Sequence, residues 1–287
     1  MDLTKDPIPG LIKKIAVPAS VGFFFNTMYN VVDTYFAGLI STDALAALSL
    51  SFPIFFIIIA FGSGLSQGTT ALIANALGEK NNGKTHHIAM QAISFSILFS
   101  VCLTFLGLMF ASDLFRLLGA SDNYLGISLA YMNVLLMGTG FFILQSVINS
   151  ALNAQGDTKS YRNVLILGFL LNLVLDPWFL FGGFGLPAMG VRGIALATVL
   201  IQALGCVFLA VRLTHSRIWM GFSGSDLWPE RKTFKEIAVQ GFPAGFNMAT
   251  VAIGIFVITL FVSRFSMEGV AAYGIATRIE QIVLLPT

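Results

Sequence analysis

The sequence predicts an all-α polytopic membrane protein, and three observations carry that prediction. Hydrophobic residues make up 56% of the 287 and charged residues only 10%, against roughly a quarter charged in soluble chains. Mean hydropathy is +0.84, so a soluble core would need a polar shell that these side chains cannot supply. The apolar residues also fall into runs long enough to cross a bilayer, which takes about 20 helical residues.

Walking from charge to charge separates eight such segments, at 15–39, 49–77, 88–111, 124–154, 161–182, 189–213, 237–263 and from 270 onward. The first opens after Lys13 and Lys14 and contains Pro18; the second contains Pro53 and the glycines Gly62, Gly64 and Gly68. The third lies between the basic loop around Lys80 and Lys84 and the pair Asp113, Arg116. The fourth runs without a charge to the Gln155-Gly156-Asp157 turn, and the fifth, with Pro177, stops at Gly182. The sixth ends at Arg212, the seventh follows Lys235 and contains Pro243. The eighth holds Arg278 and Glu280 and has run only 18 residues at Thr287 without a cap, so a truncated last helix is expected. Glycine and proline inside these runs are better tolerated in lipid than in water. The run 62–68, rich in Gly and Ser, reads as a close helix contact rather than a binding loop.

Orientation follows from the basic residues. With the N-terminus inside, Lys5, Lys13, Lys14, Lys80, Lys84, Lys159, Arg162, Arg212, Arg217, Arg231, Lys232 and Lys235 all lie on the inner side, while Arg116, Arg192 and Arg264 lie outside. That asymmetry predicts a multi-pass plasma-membrane protein with a cytoplasmic N-terminus. Nucleic acid is excluded as a partner, because a net charge of +2 spread over short clusters makes no phosphate-binding face. Asp2, Lys5 and Asp6 lack the pattern of a cleaved signal peptide. Cys102 and Cys206 lie inside apolar runs, where buried thiols are expected, and His86 and His87 read as a solvated pair. Residues 214–234 read as a cytoplasmic linker, with Trp219 and Trp228 as interfacial anchors.

An internal repeat divides the chain at that linker. Lys13-Lys-Ile-Ala-Val17 resembles Lys235-Glu-Ile-Ala-Val239, and at an offset of 225 Pro18-Ala19 falls on Pro243-Ala244 and Ala46-Ala47 on Ala271-Ala272. Duplication is a common construction in transporters. The expected organisation is a six-helix lobe at 1–213, the linker at 214–234 and the start of a second lobe at 235–287, from a parent of twelve helices and about 450 residues.

Ionisable groups inside membrane helices mark functional sites, because insertion alone costs about 2.5 to 3.5 kcal/mol. Asp33 and Asp176 each lie six residues before the outer end of an outward-running helix, so both carboxylates should sit about 9 Å below the outer surface. Asn26, Asn30 and Asp33 form a polar stripe on the first helix, and Asn172 lies one turn from Asp176 on the fifth. Pro177 frees a backbone carbonyl nearby. Thr198 reaches about 13 Å of depth on the sixth helix and could face them. These groups suit a cation or proton site. Asn149, Asn153 and Gln145 on the fourth segment read as interhelical hydrogen bonders, and Glu280 as a residue as apt for structure as for transport.

Several motifs in order, Asn30-Val-Val-Asp33-Thr-Tyr-Phe-Ala-Gly38, Ala44-Leu-Ala-Ala47, Ala154-Gln-Gly-Asp-Thr158, Asn172-Leu-Val-Leu-Asp176-Pro177 and Ala271-Ala-Tyr-Gly-Ile-Ala276, resemble the multidrug and toxic compound extrusion (MATE) family of the MOP superfamily. The resemblance covers essentially the whole chain. It implies twelve helices in two lobes and an antiporter, not an enzyme, that exports cationic or amphiphilic compounds against inward-moving protons or sodium. It also implies that Asp33, Asn172, Asp176 and Thr198 form the first lobe's cation site, with sodium, where used, held by Asp33, Asn172 and Asp176. No cofactor beyond the coupling ion is implied; the partners are small amphiphilic or cationic substrates, the lipid bilayer and the remaining C-terminal helices. Two alternatives stay open on the residues alone. One is a flippase for lipids or lipid-linked sugars. The other is an intramembrane aspartyl protease, for which the Gly-x-Gly-Asp context is missing around both Asp33 and Asp176.

Overall fold

The computed structural model of the chain describes residues 8–120, 122–183, 185–221 and 223–284, and these are almost wholly helical. Asp2, Lys5 and Asp6, and the end of the eighth segment at 285–287, lie outside the described residues. The helices are α1 Ile8–Ile40, α2 Thr42–Gly78, α3 Asn82–Leu117, α4 Asp122–Met137, α5 Thr139–Asn153, α6 Lys159–Phe181, α7 Val191–Thr214, α8 Arg231–Ser263 and α9 Met267–Leu284. A short 3-10 turn at Gly224–Leu227 interrupts the connection between α7 and α8.

Side-chain caps set the tight hairpins. Ser41 accepts from the Ala44 amide at 3.0 Å and opens α2, and Asn81 accepts from the Lys84 amide at 2.9 Å and opens α3. Each cap satisfies one of the donors that a helix start leaves without a partner. The eight sequence segments therefore return as helices, with one correction. The fourth is not continuous: α4 and α5 meet at Gly138 with a bend of 44°. A Cβ at Gly138 would collide with the Val199 side chain of α7, so the chain turns where glycine allows α7 in. Hydropathy cannot register such a bend, because both halves are equally apolar.

Six described helices, α1, α2, α3, α6, α7 and α8, are long and apolar enough to cross a membrane, and α4 with α5 makes a seventh if the bent pair is one span. The helix α9 carries Glu268, Arg278 and Glu280 within its 18 residues and is not among them. Apolar side chains such as Val101, Phe105 and Met109 on α3 project outward, more than 60% exposed. An apolar belt of this kind is the surface that lipid covers.

The centre of the bundle is α2, which touches α1, α3, α4, α5, α8 and α9. Around it α1 packs on α6, α6 on α7, and α7 on α4 and α5, closing a ring whose interior is the site described below. Against α8 the approach is backbone to backbone. A Cβ at Gly64 would overlap the Gly245 amide, and one at Gly68 would stand 2.6 Å from the Gly241 nitrogen. The small-residue run 62–68 is thus a helix contact, as expected of membrane packing in which apolar side chains gain little by leaving lipid. Beside the seam, Phe61 meets Phe99, Phe242 and Phe246 at ring distances of 5.7, 6.3 and 5.6 Å. Part of the phenylalanine abundance therefore serves helix packing rather than lipid contact.

The connection to α8 does not hang free. Gln91, buried on α3, donates to the carbonyls of Asp226 and Trp228 at 2.9 and 2.8 Å and accepts from the Glu230 amide at 2.9 Å. Ser94 donates to the Leu227 carbonyl at 2.7 Å. The histidines are part of this dock and not a solvated pair. His86 is buried, edge-on to Trp219 at 5.9 Å and 3.5 Å from the Asp226 carboxylate; His87 lies 2.6 Å from Glu230. Trp228 remains 79% exposed. Hydrogen bonds from Thr233 and His87 hold the Glu230 carboxyl below the usual glutamate range. This part of the dock is therefore in place above that range and weakens as falling pH titrates the carboxyl.

Two outcomes follow. Gly64→Val should lower the unfolding temperature in detergent through about 1–3 kcal/mol of overpacking, whereas Gly254→Ala, with nothing near the added methyl, should not. Gln91→Ala removes three hydrogen bonds of about 1 kcal/mol each, so trypsin should cut after Arg231 or Lys232 at least about tenfold faster. An unchanged cleavage rate would mean that other contacts hold the connection.

Candidate cation site

The helices α1 and α6 pack along their length, and their contact places Asp33 beside Asn172. The Asn172 Nδ2 donates to Asp33 Oδ1 at 2.8 Å, and all four residues expected at the site, Asp33, Asn172, Asp176 and Thr198, are no more than 5% exposed. Asp176 lies one turn along α6 from Asn172, close enough to Asp33 for the two carboxyls to interact. Thr198 on α7 faces Asp33 at 3.5 Å, long for a hydroxyl donor, while its shorter bond of 3.1 Å goes to the Ile194 carbonyl one turn back. With its proton committed to the helix, the Thr198 oxygen presents lone pairs to the site. The helix α6 continues through Pro177 without a break.

What distinguishes the cluster is a shortage of donors. Both Asp176 oxygens and the Asn172 Oδ1 are buried and accept no hydrogen bond from the protein. Buried oxygens without donors are costly, and two bare carboxylates in a low dielectric are more so. One shared proton, or one small cation among carboxylate, amide and hydroxyl oxygens, relieves both costs. The donor set suits a hard cation, since every ligand is oxygen.

Asp33 and Thr198 open onto a cavity of about 740 Å³. Asp176 lies behind Asp33 and does not line it. Its walls mix phenylalanines of α2 with the amides of Asn26, Asn30, Gln145, Asn149 and Asn153, and Met248 of α8 closes one side. The amides of α5 do less structural bonding than expected: Gln145 Oε1 and Asn149 Oδ1 are buried without a partner. Asn30 donates instead to the Asn26 carbonyl within α1 at 2.8 Å. Glu280 is exposed and lies outside the cavity, so it does not join the site.

Among the cavity residues that the sequence reading did not assign to the site are Tyr131 and Arg278. Tyr131 of α4, 8% exposed, lines the cavity, and nothing in the apolar run 124–154 sets it apart. Arg278 of α9 also lines it, and its Nη1 donates to the Asn30 carbonyl at 2.8 Å. For Arg278 the signal was present, since any ionisable group in a membrane segment marks a site.

The long apolar helices around the site define a polytopic membrane fold, and comparison with known proteins gives its family. The MatE family model matches residues 18–178, more than half of the chain, and the chain belongs to that family. A probable multidrug resistance protein of Bacillus subtilis, YoeA, is 30% identical over 251 residues, covering 86% of this chain and 54% of that protein. A FAD transporter of Shewanella oneidensis is 26% identical over 283 residues, covering 99% of this chain and 63% of that protein. An inward-facing structure of a multidrug resistance MATE family transporter of the MOP superfamily superposes with a TM-score of 0.83 at 29% identity, over 96% of this chain and 62% of that one. The chain thus spans somewhat over half the length of these relatives.

Asn172→Leu should cost about 1.5–3 kcal/mol of stability, because it removes a hydrogen bond to a buried charged group. Glu280→Gln, at an exposed position, should cost less than about 0.5 kcal/mol. Thermal unfolding of the purified variants compares the two.

Proposed function

We propose that this chain forms the first six-helix lobe (1–213), the connection (214–234) and the first two helices of the second lobe (235–287) of a cation-coupled antiporter that exports cationic or amphiphilic compounds from the cell. The observation that carries the proposal is the buried Asp33–Asp176 pair, with acceptor oxygens that lack donors, set at the edge of a cavity of about 740 Å³. Cavities of several hundred Å³ with apolar walls and a few polar groups are the ordinary setting for drug-sized ligands. The coupling ion is a proton or sodium, and no other cofactor is required.

Coupling needs a site whose occupancy has different free energies in the two access states. A carboxyl pair that must be neutralised wherever water is excluded meets that need. Entry of a cation from outside lets the outward cavity close over the site, and closure displaces the exported compound. The excess of basic residues in the loops assigned to the inner side supports a cytoplasmic N-terminus and a plasma-membrane setting. A lipid-linked substrate would use the same lobes, and the dye assay below separates it from drug export.

Asp33→Asn and Asp176→Asn keep shape and remove charge, so each should lower efflux of a cationic dye from cells by about tenfold or more while expression survives. The double variant should fall little further, as groups in one coupled unit do. Normal efflux by both single variants, or losses that multiply as for independent sites, would overturn the shared site. Collapsing the sodium and proton gradients separately identifies the ion.

A further inference from the structure

Arg278 stands across the cavity from α6, on a helix firmly seated against α2 where Gly274 lies directly on Ser49. Its guanidinium reaches α1 and bonds the Asn30 carbonyl at 2.8 Å, one turn from Asp33. That carbonyl already accepts from the Thr34 hydroxyl at 2.7 Å, so the bond gives the guanidinium a foothold and is not needed to satisfy the oxygen. Among the described residues, Asp33 and Arg278 are the two charged side chains that line the cavity, and the guanidinium's foothold on Asn30 sets it within one helical turn of Asp33.

The surroundings leave few other partners for this charge. The helix α4 contributes Tyr131 and α1 contributes Tyr29, both phenols that stay neutral near pH 7, with Asp176 behind Asp33 on α6. From α2 and α8 come Ser49, Phe52, Ile255 and Thr259, none of them ionisable; on its own helix Tyr273 is a phenol and Glu280 is exposed. A largely buried guanidinium held by one carbonyl is expensive unless negative charge compensates it. The bare carboxyl pair is the source of that charge, and a bound cation cancels it.

We propose that Arg278 is the built-in counter-charge of the Asp33–Asp176 site, a positioning residue that competes with the incoming coupling cation. It holds α9 on α1 while the carboxyls are bare and loses its electrostatic hold when they are occupied. This role rests on the cation-coupled reading above and adds a physical link to it, since cation entry is then felt directly by the helix on the opposite wall.

The test uses the natural full-length protein, purified and followed by infrared difference spectroscopy of its aspartate carboxyl bands. Acid is titrated without sodium, and sodium is titrated at fixed pH. Arg278→Met, and the milder Arg278→Gln should the first fail to fold, remove the competitor, so the half-maximal cation concentration should fall by at least about tenfold. Arg278→Lys keeps the charge and should stay within about threefold of the unaltered protein. A merely structural role predicts weakened or unchanged cation binding, and a Met or Gln midpoint equal to that of the unaltered protein overturns the proposal. If neither ion perturbs bands that Asp33→Asn removes, the cation-coupled reading fails, and the role of Arg278 with it; a normal response with unmoved variants sinks Arg278 alone.

Discussion

The contact of Asn172 with Asp33, and of Asp33 with Asp176, sets the terms for the rest of the molecule. Acids placed where water is excluded must be held by hydrogen bonds, neutralised or exposed to a changing environment. One amide donates to Asp33 and none to Asp176, and Thr198 spends its proton on its own helix. The remaining oxygens are left for a proton or ion. That deficit requires α1, α6 and α7 to converge tightly, and their convergence shapes the inner wall of the cavity.

The opposite wall obeys a different constraint. Hydrophobic side chains cannot draw helices together inside lipid, because lipid is as apolar as they are. Close van der Waals contact takes over, and at Gly64 and Gly68 against Gly241 and Gly245 it is close enough to exclude any side chain. The same economy brings Gly274 onto Ser49 and so sets Arg278 at the cavity. Outside this apolar region the chain uses ordinary polar chemistry. The dock of residues 226–230 on Gln91, Ser94, His86 and His87 ties the start of α8 to α3.

Much of this was legible in the residues. Charge spacing located the helices, because a charge inside lipid is costly and segment ends therefore show. Asp33 and Asp176 stood out for the same reason, and helix rise alone placed them at one depth. The bend at Gly138 was not legible, since its cause is Val199 on another helix. His86 and His87 looked solvated because the acids they meet, Asp226 and Glu230, lie about 140 residues away in the chain. Arg278 was visible as an intramembrane charge, but its direction depended on how α9 packs.

By itself, then, the sequence determined the class of the protein, the positions of its helices and the common level of its two acids, all of which follow from the free energy of moving single residues between water and lipid. Tertiary structure alone decided which polar groups meet. It paired Asn172 with Asp33, left Asp176 and Gln145 without donors, turned Glu280 away and brought Arg278 to Asn30. The reason is that partition energies depend on depth only, whereas contacts depend on helix rotation and approach, and those are set by backbone packing at glycines far apart in the chain.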